Sequence, residues 1–155
     1  MPCKASRGFT LLELMIVVAI MGVLLAMAGP PFSQMMANER VRSTAFDIQS
    51  SLLRTRSEAL TRNASVTVTP NSSNWSLGWS IADPANPGIY IEQHPATGSA
   101  DIVGPNSVTY TSVGRLNAAT NSFDISATSA TAKRCVSIEL TGRPKTKPCA
   151  CASTC

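Results

Sequence analysis

The feature that most constrains the fold is an apolar run close to the N-terminus. Residues 9–28, FTLLELMIVVAIMGVLLAMA, contain only two polar side chains, those of Thr10 and Glu13. Twenty helical residues extend about 30 Å, which is the thickness of a bilayer core. Lys4 and Arg7 precede the run, so the positive-inside rule predicts a cytoplasmic N-terminus and a single membrane pass. The remaining residues, about 120, are enough for one modest hydrophobic core.

Helical patterning continues beyond the apolar run. Pro30 and Pro31 predict a kink, because a proline inside a helix removes a backbone hydrogen bond. Apolar residues then recur at spacings near 3.5, and Asn63 is a suitable helix end. The predicted inner stripe is Val41, Ala45, Ile48, Leu52 and Ala59, flanked by Phe46, Leu53 and Leu60. The sequence therefore predicts one long kinked helix, apolar all round over residues 9–29 and amphipathic over residues 30–62.

The composition changes after Asn63 to alternating Val and Thr with many Gly, Pro, Asn and Ser, which is typical of strands and turns. Residues 83–88 and 94–105 are predicted loops. The predicted strands are Val66–Thr69, Ser76–Ala82, Ile89–Glu92, Val108–Thr111, Ser122–Ser126 and Cys135–Leu140. The fold class is therefore α+β: a long kinked N-terminal helix packed against an antiparallel β-sheet domain of residues 63–141.

Four cysteines crowd the last 21 residues, whereas the fifth, Cys3, precedes the apolar run. An even set in an exported domain predicts two disulfides. We expect Cys135 to bond Cys149 or Cys151 and the remaining cysteine to bond Cys155, because a Cys149–Cys151 bridge would be strained. A four-cysteine zinc site is the alternative, but the spacing C-x13-C-x-C-x3-C lacks paired C-x2-C ligands. No metal is predicted.

The net charge of the chain lies entirely in its last 31 residues. Residues 1–124 carry 8 Lys/Arg and 8 Asp/Glu, whereas residues 125–155 carry five basic residues against Glu139, which gives +4. The basic residues of this C-terminal part are Lys133, Arg134, Arg143, Lys145 and Lys147. Such asymmetry indicates an anionic partner, with a solvated basic surface as the alternative.

The segment GRPKTKPC contains most of these cations. Its two prolines exclude a helix, and in an extended chain Arg143, Lys145 and Lys147 would project to one side as a row of cations, called here the comb. Lys133 and Arg134 are predicted to add to this comb, which suits the phosphates of double-stranded DNA. The tail of residues 142–155 has no aromatic residue, so base stacking is not supported.

Catalytic motifs are absent from the sequence. His94 is the only histidine and has no partner at ligand spacing, and no nucleotide loop, H-E-x-x-H or G-x-S-x-G motif occurs. The sequence therefore predicts a protein that is not an enzyme and needs no cofactor.

The stretch GFTLLEL, residues 8–14, resembles the class III signal of type IV pilins and pseudopilins. This resemblance implies that a prepilin peptidase cuts between Gly8 and Phe9, removing residues 1–8 with Cys3, and that the new Phe9 amine is methylated. It also implies that Glu13 meets the N-terminal amine of a neighbouring subunit. Snorkelling of Glu13 towards the lipid headgroups is the alternative. Residues 9–29 would then serve first as a membrane helix and later as filament core.

Two stretches of the globular part resemble the GspH/FimT group of minor pilins and pseudopilins. They are WSLGWSI, residues 75–81, and CVSIELTGR, residues 135–143. The resemblance implies a structural subunit of a type IV pilus or a type II secretion pseudopilus. Its partners would be other pilins and an inner-membrane assembly platform. Before assembly it would cross the inner membrane once, with its C-terminal domain in the periplasm.

A further resemblance concerns the C-terminal segment. Some FimT-like pilins bind DNA during natural transformation through a Gly-Arg-x-Arg or Gly-Arg-x-Lys element, and Gly142, Arg143 and Lys145 occupy that pattern here. The alternative function is therefore a DNA-binding minor pilin for DNA uptake. A solvated tail that contacts the next pilin explains the same residues.

Overall fold

The computed structural model describes residues 8–120 and 122–153, without the side chains of residues 27–31. Cys3, Lys4, Arg7 and Cys155 lie outside the described residues. The chain divides into two compact units, residues 1–33 and residues 34–155. A single helix, α1, runs over Leu11–Arg62 and contributes to both units. Its backbone is helical through Pro30 and Pro31, and the kink stays a prediction.

Both ends of α1 are capped by the residues that adjoin it. At the N-terminus, the Glu13 amide donates to the Thr10 hydroxyl oxygen over 3.2 Å, as an N-cap residue requires. At the C-terminus, Asn63 adopts a left-handed conformation with φ 49°, and the Ala64 amide donates to the Ala59 carbonyl. This arrangement closes the helix because asparagine tolerates that conformation. The helix end predicted at Asn63 is confirmed.

Among the described residues, no helix combines the length and the apolar character needed to cross a membrane.

The second unit contains two four-stranded antiparallel sheets. Sheet A consists of β1 (Val66–Asn71), β2 (Asn74–Ala82), β3 (Tyr90–His94) and β5 (Val108–Tyr110), in the order β3-β2-β1-β5. Sheet B consists of β4 (Ala100–Val103), β6 (Phe123–Ala127), β7 (Arg134–Ile138) and β8 (Pro144–Lys147), in the order β4-β6-β7-β8. The α+β class predicted from the sequence is confirmed.

Each predicted strand has a counterpart with slightly different ends, but β4 and β8 were not predicted. β4 lies inside the predicted loop of residues 94–105, and β8 lies inside the segment treated as a tail. Both strands have only four residues, so alternation is barely visible along the sequence. They form because β6 and β7 offer free edges for pairing.

One hydrophobic core lies between α1 and the two sheets. The inner stripe of α1 is buried as predicted: Val41, Ala45, Ile48, Leu52 and Ala59. Trp75 and Trp79 pack in the same core, where the Trp75 ring meets Phe123 edge-on at 4.8 Å. In contrast, Phe46, Leu53 and Leu60, which flank the stripe in the sequence, are 69%, 45% and 50% exposed. None of the three belongs to the buried core.

Candidate functional site

The N-terminal unit presents an apolar helix with one acid near its start. Phe9 and Glu13 are both exposed, and Glu13 lies in the first turn of α1. There its carboxylate is favoured by the helix dipole. From Leu11 to Ala26 the described side chains are exposed. This surface needs cover, because a contiguous apolar patch of this size marks an interaction site.

The C-terminal basic segment forms the edge strand of sheet B. Ser137 pairs with Lys145 and Cys135 with Lys147, so both lysines project to the face of the sheet that points away from Val136 and the core. Arg143 precedes β8 and is exposed. The geometry therefore brings Lys145 and Lys147 together, as a comb of period two requires.

Two observations reduce the number of cations that are free to bind a phosphate on this face. Lys145 forms an ion pair with Glu139. The hydrogen bond from Lys145 and the lysine charge together hold the pKa of Glu139 below its usual value. Arg134 alternates with Cys135 along β7 and so lies on the opposite face of the sheet from the lysines. The prediction that Arg134 adds to the comb is therefore wrong, and Lys133 is exposed just before β7.

Gly142 sets the turn from β7 into β8. Its φ is +81°, and a Cβ there would lie 2.2 Å from the Gly114 carbonyl oxygen and 3.0 Å from the Tyr110 ring. No side chain fits, because the backbone of the 111–116 loop passes directly over the turn. The glycine of the Gly-Arg pattern thus has a packing cause that is independent of any ligand.

A disulfide ties the end of the chain onto sheet B. Cys135 bonds Cys151, which is one of the two pairings that the sequence left open for Cys135. The Cys151 amide also donates to an Asp124 carboxylate oxygen over 2.6 Å. Cys149 is disulfide-bonded as well. Its predicted partner, Cys155, lies outside the described residues, so that pairing stays a prediction.

The same contacts bear on metal binding. Asp124, Cys135 and Cys151 bring their donor atoms within 4.8 Å of one another. The two sulfurs are bonded to each other, however, so neither is a thiolate that could bind zinc. This cluster is a structural tie at the outer face of sheet B.

A polar network that had no signal in the sequence joins α1 to sheet A. The Trp79 indole donates to the Ser51 hydroxyl over 2.9 Å, and that hydroxyl donates to Glu92, which also pairs with Arg54 at 3.1 Å. Next to it, the His94 ring stacks on Trp79 at 3.9 Å, with Nε2 3.8 Å from an Asp47 carboxylate oxygen. These residues are far apart in sequence, so only the fold reveals the network.

A groove between α1 and sheet B is a second feature that the sequence did not indicate. Its volume is about 410 Å³, and it is lined by Glu39, Arg42, Phe46, Gln49, Arg134 and Thr146 among others. Thr146 donates to the Gln49 side-chain oxygen over 2.7 Å, which joins β8 to α1 at the groove. Arg134 thus belongs to a site shared with the helix.

Comparison with protein families gives two matches. A family described as type II transport protein GspH matches residues 44–142. A prokaryotic N-terminal methylation motif matches residues 3–29. Together they cover most of α1, both tryptophans and the turn at Gly142.

Comparison with individual proteins points the same way. Two fimbrial proteins of Pseudomonas aeruginosa are each 37% identical over 79 residues, covering 49% of this chain and 50% of each relative. The chain thus spans about half the length of the curated relatives it matches. The type IV minor pilin FimU of P. aeruginosa has TM-scores of 0.57 and 0.58 in two crystal forms, at 23% and 20% identity. Those matches cover 69% and 71% of this chain and 92% and 90% of FimU, and they show a shared fold.

Proposed function

Because the chain belongs to the family described as type II transport protein GspH, we propose that it is a minor subunit of a filament, either a type IV pilus or a type II secretion pseudopilus. Structural subunits of the minor pilin and pseudopilin class form this group, and the chain is one of them. The observation that carries the proposal is the methylation motif of residues 3–29, which overlaps the start of a helix whose side chains are exposed from Leu11 to Ala26.

The proposed assembly chemistry lies in the first turn of α1. Cleavage between Gly8 and Phe9 leaves a Phe9 amine, which is then methylated. Glu13 pairs with the corresponding amine of a neighbouring subunit, and this contact offsets the cost of placing a carboxylate among apolar helices. Support comes from the position of Glu13 in the first turn, where its side chain is exposed.

Before assembly, we propose that residues 9–28 hold the subunit in the inner membrane, with the C-terminal domain in the periplasm. The assembly platform and the prepilin peptidase would be its partners there. This part of the proposal is supported by the sequence of the apolar run and by the methylation motif.

Two measurements test the filament proposal. Mass spectrometry of the membrane form should show loss of residues 1–8 and a methylated Phe9. Glu13→Ala should leave the amount in the membrane unchanged and reduce the amount in sheared filaments by at least about tenfold, as expected for an unpaired amine in an apolar bundle. Glu13→Asp is the matched control that keeps the charge. An intact N-terminus, or normal incorporation of Glu13→Ala, would contradict the proposal.

A second candidate function is the binding of double-stranded DNA through β8. The observation that favours it is the placement of Lys145 and Lys147 on one exposed face of an edge strand that a disulfide holds in position. A preorganised strand loses less entropy on binding. The Glu139–Lys145 ion pair opposes it, because a lysine that is already paired contacts a phosphate less readily.

That ion pair provides a sharp test. In a gel shift with the full chain, Glu139→Gln should raise the affinity for duplex DNA. Lys147→Ala should make the slope of log K against log salt less negative by about 0.9, because one phosphate contact is lost. Arg134→Ala is the control, since Arg134 lies on the other face and should have no effect. Unchanged binding in both the Glu139 and the Lys147 variants would exclude β8 as the DNA site.

A further inference from the structure

Three large apolar residues of α1 are exposed on one side of the helix in the second unit, where a surface helix is normally polar. Phe46, Leu53 and Leu60 are separated by seven residues, so they form one line along the helix, on a different side from the buried stripe. The line is about 21 Å long. Each of the three side chains is exposed, although Leu60 also lies against Gly114 of its own domain.

Small residues lie between these large ones. Ser43, Ser50 and Ser57 follow the same seven-residue spacing, each three positions before a large apolar neighbour. The Ser50 hydroxyl donates to the Asp47 carbonyl within the helix, so covering it leaves no donor unsatisfied. Large and small residues that alternate at this period form knobs and holes suited to a second helix running alongside.

The groove beside Phe46 indicates the charge of that second helix. Two guanidinium groups, those of Arg42 and Arg134, line it with a single acid, Glu39, which pairs with Arg42 at 3.9 Å. Arg134 has no ion-pair partner among residues 8–120 and 122–153. The groove thus has one surplus positive charge, and it complements a carboxylate placed next to an apolar stripe.

A second copy of this chain fits less well than a different partner. Each acid of α1 in the second unit already has a partner: Glu39 pairs with Arg42, Asp47 contacts His94 and Glu58 pairs with Arg62. Using any of these acids would break a contact inside the subunit, and the two surplus arginines would face each other across the pair.

We infer that the outward face of α1, defined by Phe46, Leu53 and Leu60 with the groove at Arg134, is a docking surface for the helix of a neighbouring pilin-type subunit. This inference rests on the proposed function, because filament assembly aligns the helices of neighbouring subunits. The partner helix has an apolar stripe and a carboxylate, and the carboxylate pairs with Arg134. The docking surface is separate from the apolar helix of residues 9–26 and adds a contact specific to one partner.

Photo-crosslinking in the cells that produce the protein tests the inference. A benzophenone side chain replaces Phe46 in the full chain, and the same side chain at Ile89, an exposed apolar residue on another surface, is the control. We expect an adduct from position 46 whose crosslinked peptide maps to the helix of another protein with an N-terminal methylation motif. Position 89 should give at least about fivefold less of this adduct. The free energy of an exposed contact corresponds to a difference of about that size in how often the partner helix lies beside a position.

Variants then connect the adduct to the two parts of the docking surface. Leu53→Asp should lower the yield from position 46 about tenfold, because it places a charge in the apolar seam. Arg134→Glu should lower it about threefold, whereas Arg134→Lys should keep it within about twofold. Both positions are on the surface, and retention of the Cys135–Cys151 bridge in a peptide map verifies folding.

Each other outcome overturns the inference. An adduct with a second copy, with lipid alone or with a protein that lacks the methylation motif would show a different occupant, and no adduct in the membrane or filament fraction would show none. Failure of this docking inference can be distinguished from failure of the proposed filament function. Normal filament incorporation without the adduct refutes only the docking surface, whereas absence from filaments refutes the proposed function.

Discussion

The two sheets are attached to the helix in different ways. Both sheets pack apolar side chains against the helix in one core, and sheet A adds polar contacts from Trp79 to Ser51 and from His94 to Asp47. Sheet B adds the Thr146–Gln49 hydrogen bond, and a disulfide ties β7 to the segment that follows β8. Beyond the shared core, sheet A therefore has directional contacts with the helix, whereas sheet B has a covalent tie within itself.

The two sheets also differ in which charged side chains can contact a partner. The network at sheet A has a buried centre, Trp79 and Ser51, and its charged members pair with each other, Arg54 with Glu92 and His94 with Asp47. Sheet B instead exposes Lys145 and Lys147 on one face and has the half-buried Arg134 on the other. Lys147 and Arg134 have no ion-pair partner among residues 8–120 and 122–153, so sheet B has charge available for partners.

The largest expected effect comes from the turn that joins β7 to β8. Gly142→Ala should lower the free energy of unfolding by about 4 kcal/mol, because its Cβ would clash with the Gly114 carbonyl as well as strain the backbone. Gly98→Ala is the control: its φ is +73° with open space around it, so only strain remains, about 1 kcal/mol. Urea unfolding measures both, and equal losses would show that the close approach at Gly142 has no cost.

Removal of the disulfide should damage sheet B selectively. The double variant Cys135→Ala, Cys151→Ala opens a loop of 16 residues and should cost about 3 kcal/mol. Hydrogen exchange should accelerate in β7 and β8 and stay unchanged in β1 and β2. Equal acceleration in both sheets would contradict the proposed separation of their attachments.

Removal of the Trp79–Ser51 hydrogen bond, which joins sheet A to α1, should have a smaller effect than removal of the disulfide. Trp79→Phe removes the indole donor to Ser51 and should cost about 1.5 kcal/mol. In a double-mutant cycle with Ser51→Ala, the coupling energy should be about 1 kcal/mol. Chemical denaturation of the four proteins provides the values, and additive losses would mean that this hydrogen bond does not stabilise the fold.

The smallest effect concerns the ion pair on sheet B. Lys145 lowers the pKa of Glu139 below its ordinary 4.5. The pair therefore stabilises the fold above that ordinary value, and this contribution is lost as the pH falls through the lower folded pKa. An NMR titration of the Glu139 carboxyl should show the shift, which Lys145→Met should abolish and Lys147→Met should leave intact. A normal pKa in the unmodified chain would contradict the pairing.

Much of the fold could be predicted because its signals are local. The periodicity of Val41, Ala45 and Ile48 and the cap at Asn63 depend on neighbouring residues, so they can be read along the chain. The strands β4 and β8 could not, since each has only four residues and takes its conformation from a paired edge. Long-range pairing overrode a weak local pattern.

The predicted functional residues also divide into those that local sequence determines and those that depend on packing. By itself the sequence determined the motif at Gly8, Phe9 and Glu13, the long helix and the even set of C-terminal cysteines, because these are matters of residue type and spacing. Only the tertiary structure decided that Arg134 faces the helix while Lys145 and Lys147 face outward, and that Phe46 is exposed. The physical reason is that the face of a strand or helix has no meaning until another element is packed against it.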